Sequence, residues 1–303
     1  MTAPAPRYAN QPLPTVRPTV ENQRFFDPND GEARQLIEYV YAHYANHYRV
    51  ELVLLKILPD AIVCDINDRE GNGSLFFSAA HSAIVRRLNK RTRHTGAMIK
   101  AGPLKIPAIL DANAEIQRLA ELAASPTVAI QPHSADYPGT IYTPETRKKR
   151  RTVQRPHDLN PKTYPDDEIT YRIAKPLLLK HLSWAKIERA VEAAREKVEE
   201  QNRQARQASG KPYVGVDTPE LTEIGVAHEE SLAPPRGPRY RGAPALVETA
   251  RKQERRFRRR YRVHLLALRA RKTDFVWPPG TNFHHKINGF PRHQGDWLTP
   301  PPP

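Results

Sequence analysis

The residues best suited to chemistry in this chain are arginines. Between Arg236 and Lys272 there are 14 basic side chains and 2 acidic ones, Glu248 and Glu254. The densest part, Arg255–Arg262, reads RRFRRRYR. A guanidinium presents a planar fork of N–H donors that grips phosphate bidentately and stacks on an exposed base. Arg251, Lys252, Arg255, Arg256, Arg258, Arg259, Arg260, Arg262, Arg269, Arg271 and Lys272 are therefore candidate phosphate ligands. Charge packed this closely repels itself in isolation and becomes favourable beside a polyanion. An acidic protein or an anionic membrane surface meets the same charge requirement.

Two further clusters share this chemistry. No Asp or Glu occurs from Gly71 to Leu110, while Arg86, Arg87, Lys90, Arg91, Arg93, Lys100 and Lys105 accumulate there. Helical spacing places Arg87, Lys90, Arg91 and His94 opposite Ile84 and Leu88, as a phosphate-contacting face or an ordinary solvated one. The run Arg147, Lys148, Lys149, Arg150, Arg151, with Arg155 behind it, lies among prolines. It resembles a nuclear localisation signal, and equally a phosphate-gripping arm of an RNA-bound protein.

Catalytic patterns are poor. His43 and His47 stand four apart on a helical segment, but Ala45 and Asn46 occupy the place where a zinc protease needs Glu, so packed histidines are expected. The segment Asp65–Gly71 fails as a calcium loop, because Arg69 and Glu70 take the positions of a ligand and the glycine. His284, His285, His293 and Asp296 form a loose set without cysteine. There is no phosphate-loop glycine pattern and no G-x-S-x-G. No catalytic residue, metal, cofactor or small-molecule substrate is expected.

The basic residues need a helix to array them. Pro244 suits a first helical turn, and Leu246, Ala250, Phe257, Tyr261, Leu265 and Leu268 draw one apolar stripe, so a basic helix is predicted over 244–272. A second helix is predicted over 183–209. Its seam of Trp184, Ile187, Val191, Ala194, Val198, Ala205 and Ala208 is of heptad type, interrupted at Gln201, and open to a partner helix.

The expected fold is α+β, with a small helix–β-hairpin–helix core over 27–131. Long extended, largely α-helical segments rich in Arg and Pro follow it. Helix one is placed at 28–48 and a hairpin at Ala61–Ile66 and Ser74–Ser78 around Gly71-Asn72-Gly73. A helix follows over 79–92, then another from an Asp111 or Asn113 cap to about Ala124. A short strand is expected at 127–131. Residues 1–26 read as a proline-rich arm pinned by Phe25–Phe26, 132–182 as a basic proline-rich linker, and 210–243 as a further linker. The tail 273–303 carries Phe275, Trp277, Phe283, Phe290 and Trp297, an aromatic load that free linkers avoid.

The net charge is +15, and residues 1–146 hold equal numbers of basic and acidic side chains. The whole excess therefore falls on the C-terminal half, as in a neutral domain with a basic arm. Thirty prolines and 39% hydrophobic residues imply a modest core with much extended chain. One cysteine, Cys64, excludes an internal disulfide framework and fits a reducing, intracellular compartment. No membrane span is expected. The first twenty residues lack acids, as a mitochondrial presequence does, but five prolines oppose an amphipathic helix there.

In general character the chain is similar to proteins of large ribonucleoprotein particles, organellar ribosomes among them, which combine a small core, Arg-rich helices and proline-rich extensions. That resemblance implies RNA and neighbouring proteins of an assembly as partners. A DNA-binding or packaging protein, nuclear or viral, and an assembly adaptor acting through the 184–208 helix are the alternatives.

Overall fold

A hairpin of almost entirely apolar sequence sets the architecture. The computed structural model describes residues 11–100, 106–146, 148–215, 231–232, 239–270 and 272. In it β3 (Glu51–Leu58) and β4 (Ala61–Asp68) pair antiparallel across Pro59-Asp60, with Leu58 opposite Ala61. Every residue of the two strands except Glu51 is buried. A sheet covered on one face shows alternation; one covered on both does not.

The two faces are nonetheless distinct. Leu52, Leu55, Ile57, Ile62, Cys64 and Ile66 join one apolar cluster with α1 (Gly31–Tyr48) and α2 (Gly73–Thr92). Val53, Leu54, Leu58, Ala61 and Val63 join a second with α3 (Ala112–Ala123) and α4 (Trp184–Ser209). A register irregularity between Leu52 and Leu54 lets β3 keep both faces apolar. The fold is α+β, with two helical layers enclosing an antiparallel sheet.

The sheet recruits sequence from both sides of the predicted core. The strands β1 (Gln11–Pro12) and β2 (Thr15–Pro18) lie along β4, and β6 (Thr140–Tyr142) pairs with β3 on the other edge. Proline is tolerated in β1 and β2 because they form an edge. Phe25 and Phe26 are both buried. The stretches read as a proline-rich N-terminal arm and a linker therefore contribute strands to the main body. A separate ribbon of β7 (Arg150–Gln154) and β8 (Glu168–Arg172) packs against α1 through Val153, Ile169 and Tyr171.

Four sequence expectations are corrected. The hairpin partner of β4 is the segment before it, and Ser74–Ser78 opens α2. The Asp68 carboxylate accepts from Asn72 N and Gly73 N, each at 2.8 Å, which fixes the turn and starts the helix. Helix α1 begins after Asp30 rather than Asp27, because the Asp30 carboxylate accepts from Glu32 N and Ala33 N. Residues 125–128 form a 3-10 turn where a strand was expected. The α4 seam is occupied within the chain: Ile187 and Val191 pack on α3 and the sheet, while Ala205 and Ala208 are exposed. The helix ends at Ser209, with Gly210 left-handed at φ +67. No helix among the described residues is long and apolar enough to cross a membrane.

The layer containing α3 and α4 also buries charge. Lys56 lies out of phase with Leu55 and Ile57, and its Nζ donates to Ala123 O at the end of α3, where free carbonyls favour a cation. Burial lowers its pKa to about 7, with Glu145 opposing. Asp65 on β4 is buried too, and that burial raises its carboxyl to about 7 despite the Arg118 charge. The two act on stability with opposite sign. Stability tied to Asp65 is complete below its ordinary 3.8 and lost as pH rises through about 7. Stability tied to Lys56 is complete above its ordinary 10.5 and lost as pH falls through about 7. Asp65→Asn should therefore raise Tm by several degrees at about pH 8.5 and leave it nearly unchanged near pH 4, in a thermal-melt series against the parent chain.

Candidate nucleic-acid interface

Helix α5 (Pro244–Arg269) carries the densest charge, and its N-terminal end is fastened to α3. Just before it, β9 (Tyr240–Arg241) pairs in parallel with β5 (Ala108–Ile109). Asp111 then serves two helices at once. One carboxylate oxygen accepts from Ala114 N to cap α3, and the other accepts from Ala243 N at 2.6 Å. Gly242 between them has φ +151, and a Cβ there would stand 2.7 Å from Asp111 Oδ2. Arg241 adds an ion pair to Glu121 at 2.7 Å.

The apolar stripe of α5 is the least exposed side of the helix, as its spacing predicts. Ala250, Phe257 and Tyr261 are buried, and Leu246, Leu265 and Leu268 are half-buried. The two acids are consumed locally. Glu254 is buried, accepts from Tyr240 Oη at 2.6 Å, and pairs with Arg239 and Arg258. Glu248 pairs with Lys252 at 2.8 Å. Arg251, Arg255, Arg262 and Arg269 recur at intervals of four, seven and seven, so they form one exposed ridge about 27 Å long. Among the described residues none of the four is in ion-pair contact with an acid, although the Arg255 charge reaches Glu248.

Arg256, Arg259 and Arg260 are exposed on neighbouring faces, as is Lys272 beyond the helix. Beside the ridge, Arg255, Arg258, Arg259 and Arg262 border an open groove of about 370 Å³ floored by Val263 and Leu266. Those two aliphatic side chains are 60% and 63% exposed. Their signal in the sequence is that they fall outside the stripe. Arg271 lies outside the described residues.

The second cluster is on α2 and the loop after it. Arg86, Lys90, Arg93 and Lys100 are exposed and Arg87 is half-buried. Arg91 differs, because it pairs with Asp30 at 2.9 Å and Glu32 at 3.1 Å at the start of α1. It ties the two helices together and is removed from the free cations. Lys105 lies outside the described residues. Arg93 ends α2 in a left-handed conformation at φ 54, which glycine or asparagine adopts more readily.

The basic run at 147–151 is not a free linker. Strand alternation divides it into two sets. Lys148 and Arg150 are exposed, whereas Lys149 and Arg151 turn inward. Arg151 binds the Glu38 carboxylate through two nitrogens, at 2.8 and 3.2 Å, and Tyr171 Oη donates to the same carboxylate at 2.6 Å. Lys149 donates to Pro144 O and Thr146 O, pairs with Glu188 at 2.9 Å, and sits 4.3 Å from the Trp184 ring centroid. Arg155 is similarly engaged, with Asp167 at 2.6 Å. Arg147 lies outside the described residues. Half of the described run thus fastens β7 to α1 and α4, which removes it from an exposed localisation signal.

His43 and His47 pack edge-on against tyrosines, and among the described residues no group of three or more His, Cys, Asp or Glu is placed to bind an ion. His284, His285, His293, Asp296 and the aromatic tail lie outside the described residues.

The inward and outward basic residues of β7 should behave differently on substitution. Arg151→Ala leaves the Glu38 carboxylate with only the Tyr171 hydroxyl and should cost about 1.5–3 kcal/mol in urea unfolding. Arg150→Ala should stay within about 0.5 kcal/mol of the parent. Comparison with protein families, curated proteins and solved structures finds no match for this chain.

Proposed function

We propose that this chain is a non-catalytic, RNA-binding structural component of a large ribonucleoprotein particle. The observation that carries this reading is the exposed α5 ridge of Arg251, Arg255, Arg262 and Arg269, held at one end by Asp111 and with no carboxylate in ion-pair contact among the described residues. Its cost in self-repulsion is recovered when phosphates lie along it. Arg86, Arg87, Lys90, Arg93 and Lys100 on the first helical layer, with Lys148 and Arg150 on the ribbon, supply secondary contacts. RNA is favoured over duplex DNA because no helix-turn-helix or zinc pattern accompanies the charge. Neighbouring proteins of the particle are the expected protein partners.

Sedimentation of native lysate with and without RNase tests the particle. The chain should migrate as a large species that collapses on RNase treatment. A small species indifferent to RNase overturns the proposal. The ridge has its own quantitative test. Replacing its four arginines with glutamine should lower the salt-dependence slope of RNA affinity by about 3, since each single-strand phosphate contact contributes roughly 0.7. An unchanged slope would move the contact elsewhere on the chain.

A further inference from the structure

The C-terminal half of α1 carries a sequence repeat, His43-Tyr44 and His47-Tyr48, whose members stand one helical turn apart. The structure makes the repeat a single aromatic cluster. Tyr44 and Tyr48 lie 6.1 Å apart, with their planes inclined by only 25°. Each histidine meets a tyrosine edge-on, at 5.0 Å for His43–Tyr44 and 4.7 Å for His47–Tyr48. Tyr164, from the turn between β7 and β8, closes the cluster from behind. It lies 4.9 Å from His43, and its hydroxyl is 3.4 Å from that of Tyr44.

Tyr164 is buried, whereas His43, Tyr44 and Tyr48 are half-buried and His47 is exposed. Grouped rings left open to water at a helix end are more than the core requires. The inward face of α1 is already filled by Leu36, Ile37, Val40 and Tyr41.

Cations border the cluster. Arg86 and Arg87 project from the adjacent α2, and their charges reach the Tyr164 hydroxyl. There they oppose the rise in pKa that burial and Tyr44 impose. The nearby acids are Asp166, whose charge reaches His43, and Glu70, which is 3.7 Å from Arg49. Aromatic rings beside arginines form the two-part surface that takes unpaired nucleotides. The rings stack on bases of any sequence and the cations hold the backbone. A duplex hides its base faces and gains only the second part. One helical turn separates the two His-Tyr pairs by about 6 Å, an interval that two neighbouring bases of an extended strand span.

We propose that His43, Tyr44, His47 and Tyr48, with Arg86 and Arg87, form a stacking platform for single-stranded RNA, distinct from the phosphate-gripping ridge of α5. This rests on the RNA-binding reading and assigns to it unpaired nucleotides as the ligand.

The test compares affinities of the full chain for a labelled single-stranded oligouridylate and for an RNA duplex of equal length. His47→Ala with Tyr48→Ala should weaken single-strand binding roughly tenfold to a hundredfold, in line with stacking energies of about 1–3 kcal/mol per base. Duplex affinity and the salt slope should not move. Because Tyr48 also packs on the core, a second variant, His47→Phe with Tyr48→Phe, keeps flat rings there and should keep parental affinity. Parental single-strand affinity in the alanine variant overturns the platform, as does equal loss in the alanine and phenylalanine variants or parallel loss of duplex binding. A parent chain that binds neither RNA overturns the underlying RNA reading instead, so the two failures are distinguishable.

Discussion

Burial of the β3–β4 hairpin on both faces is the constraint on which the rest of the structure depends. A strand pair with almost no solvent-facing side chains is stable only between two layers. The chain supplies α1 and α2 for one side and α3 and α4 for the other, although α4 lies more than a hundred residues downstream. That demand explains why the proline-rich sequence between α3 and α4 is not slack. It must carry the chain past the β6 edge and through the β7–β8 ribbon before α4 can return to the sheet. The buried ions follow from the same enclosure. Lys56 and Asp65 sit on strand positions whose neighbours are apolar, and the helix above them supplies Ala123 O and the Arg118 charge.

The basic surfaces are built outside this enclosure and depend on it for orientation. One face of α5 is apolar and one carries a ridge of arginines, while its two acids are spent holding Arg239, Arg258 and Lys252 in place. Cations elsewhere divide by the same logic. Some that composition would count as free already meet a carboxylate, as Arg91, Arg151 and Arg155 do. Charge composition alone overstates how many arginines remain for a ligand.

The helices were the most legible part of the sequence. A strong 3.6-residue period, Asp111 as a cap and Pro244 at a first turn place α3, α4 and α5 within a few residues. The hairpin was misplaced for a definite reason. Burial on both faces erased the alternation in Glu51–Leu58, and the aromatic pair Phe76–Phe77 mimicked a strand inside the first turn of α2. Strands β1, β2 and β6 were hidden because their pairing partners are distant in sequence and prolines in or beside them imitate linkers. Of the candidate site, the α5 arginines could be read directly from spacing. The commitment of Arg151 to Glu38 could not, because the two are 113 residues apart. The exposure of the His-Tyr repeat was equally hidden, since ring spacing says nothing about what covers it.

The parallel pairing of Ala108 with Tyr240 has a consequence in time. At a synthesis rate of roughly 5–20 residues per second, on the order of ten seconds separates the emergence of these two partners. In that interval the hairpin and its first three helices are already outside the exit channel, while the short edge at Ala108–Ile109 stands open. The arginine helix is therefore the last described element to be seated. The most self-repulsive part of the chain joins a body whose sheet and first helical layer have already had the chance to form.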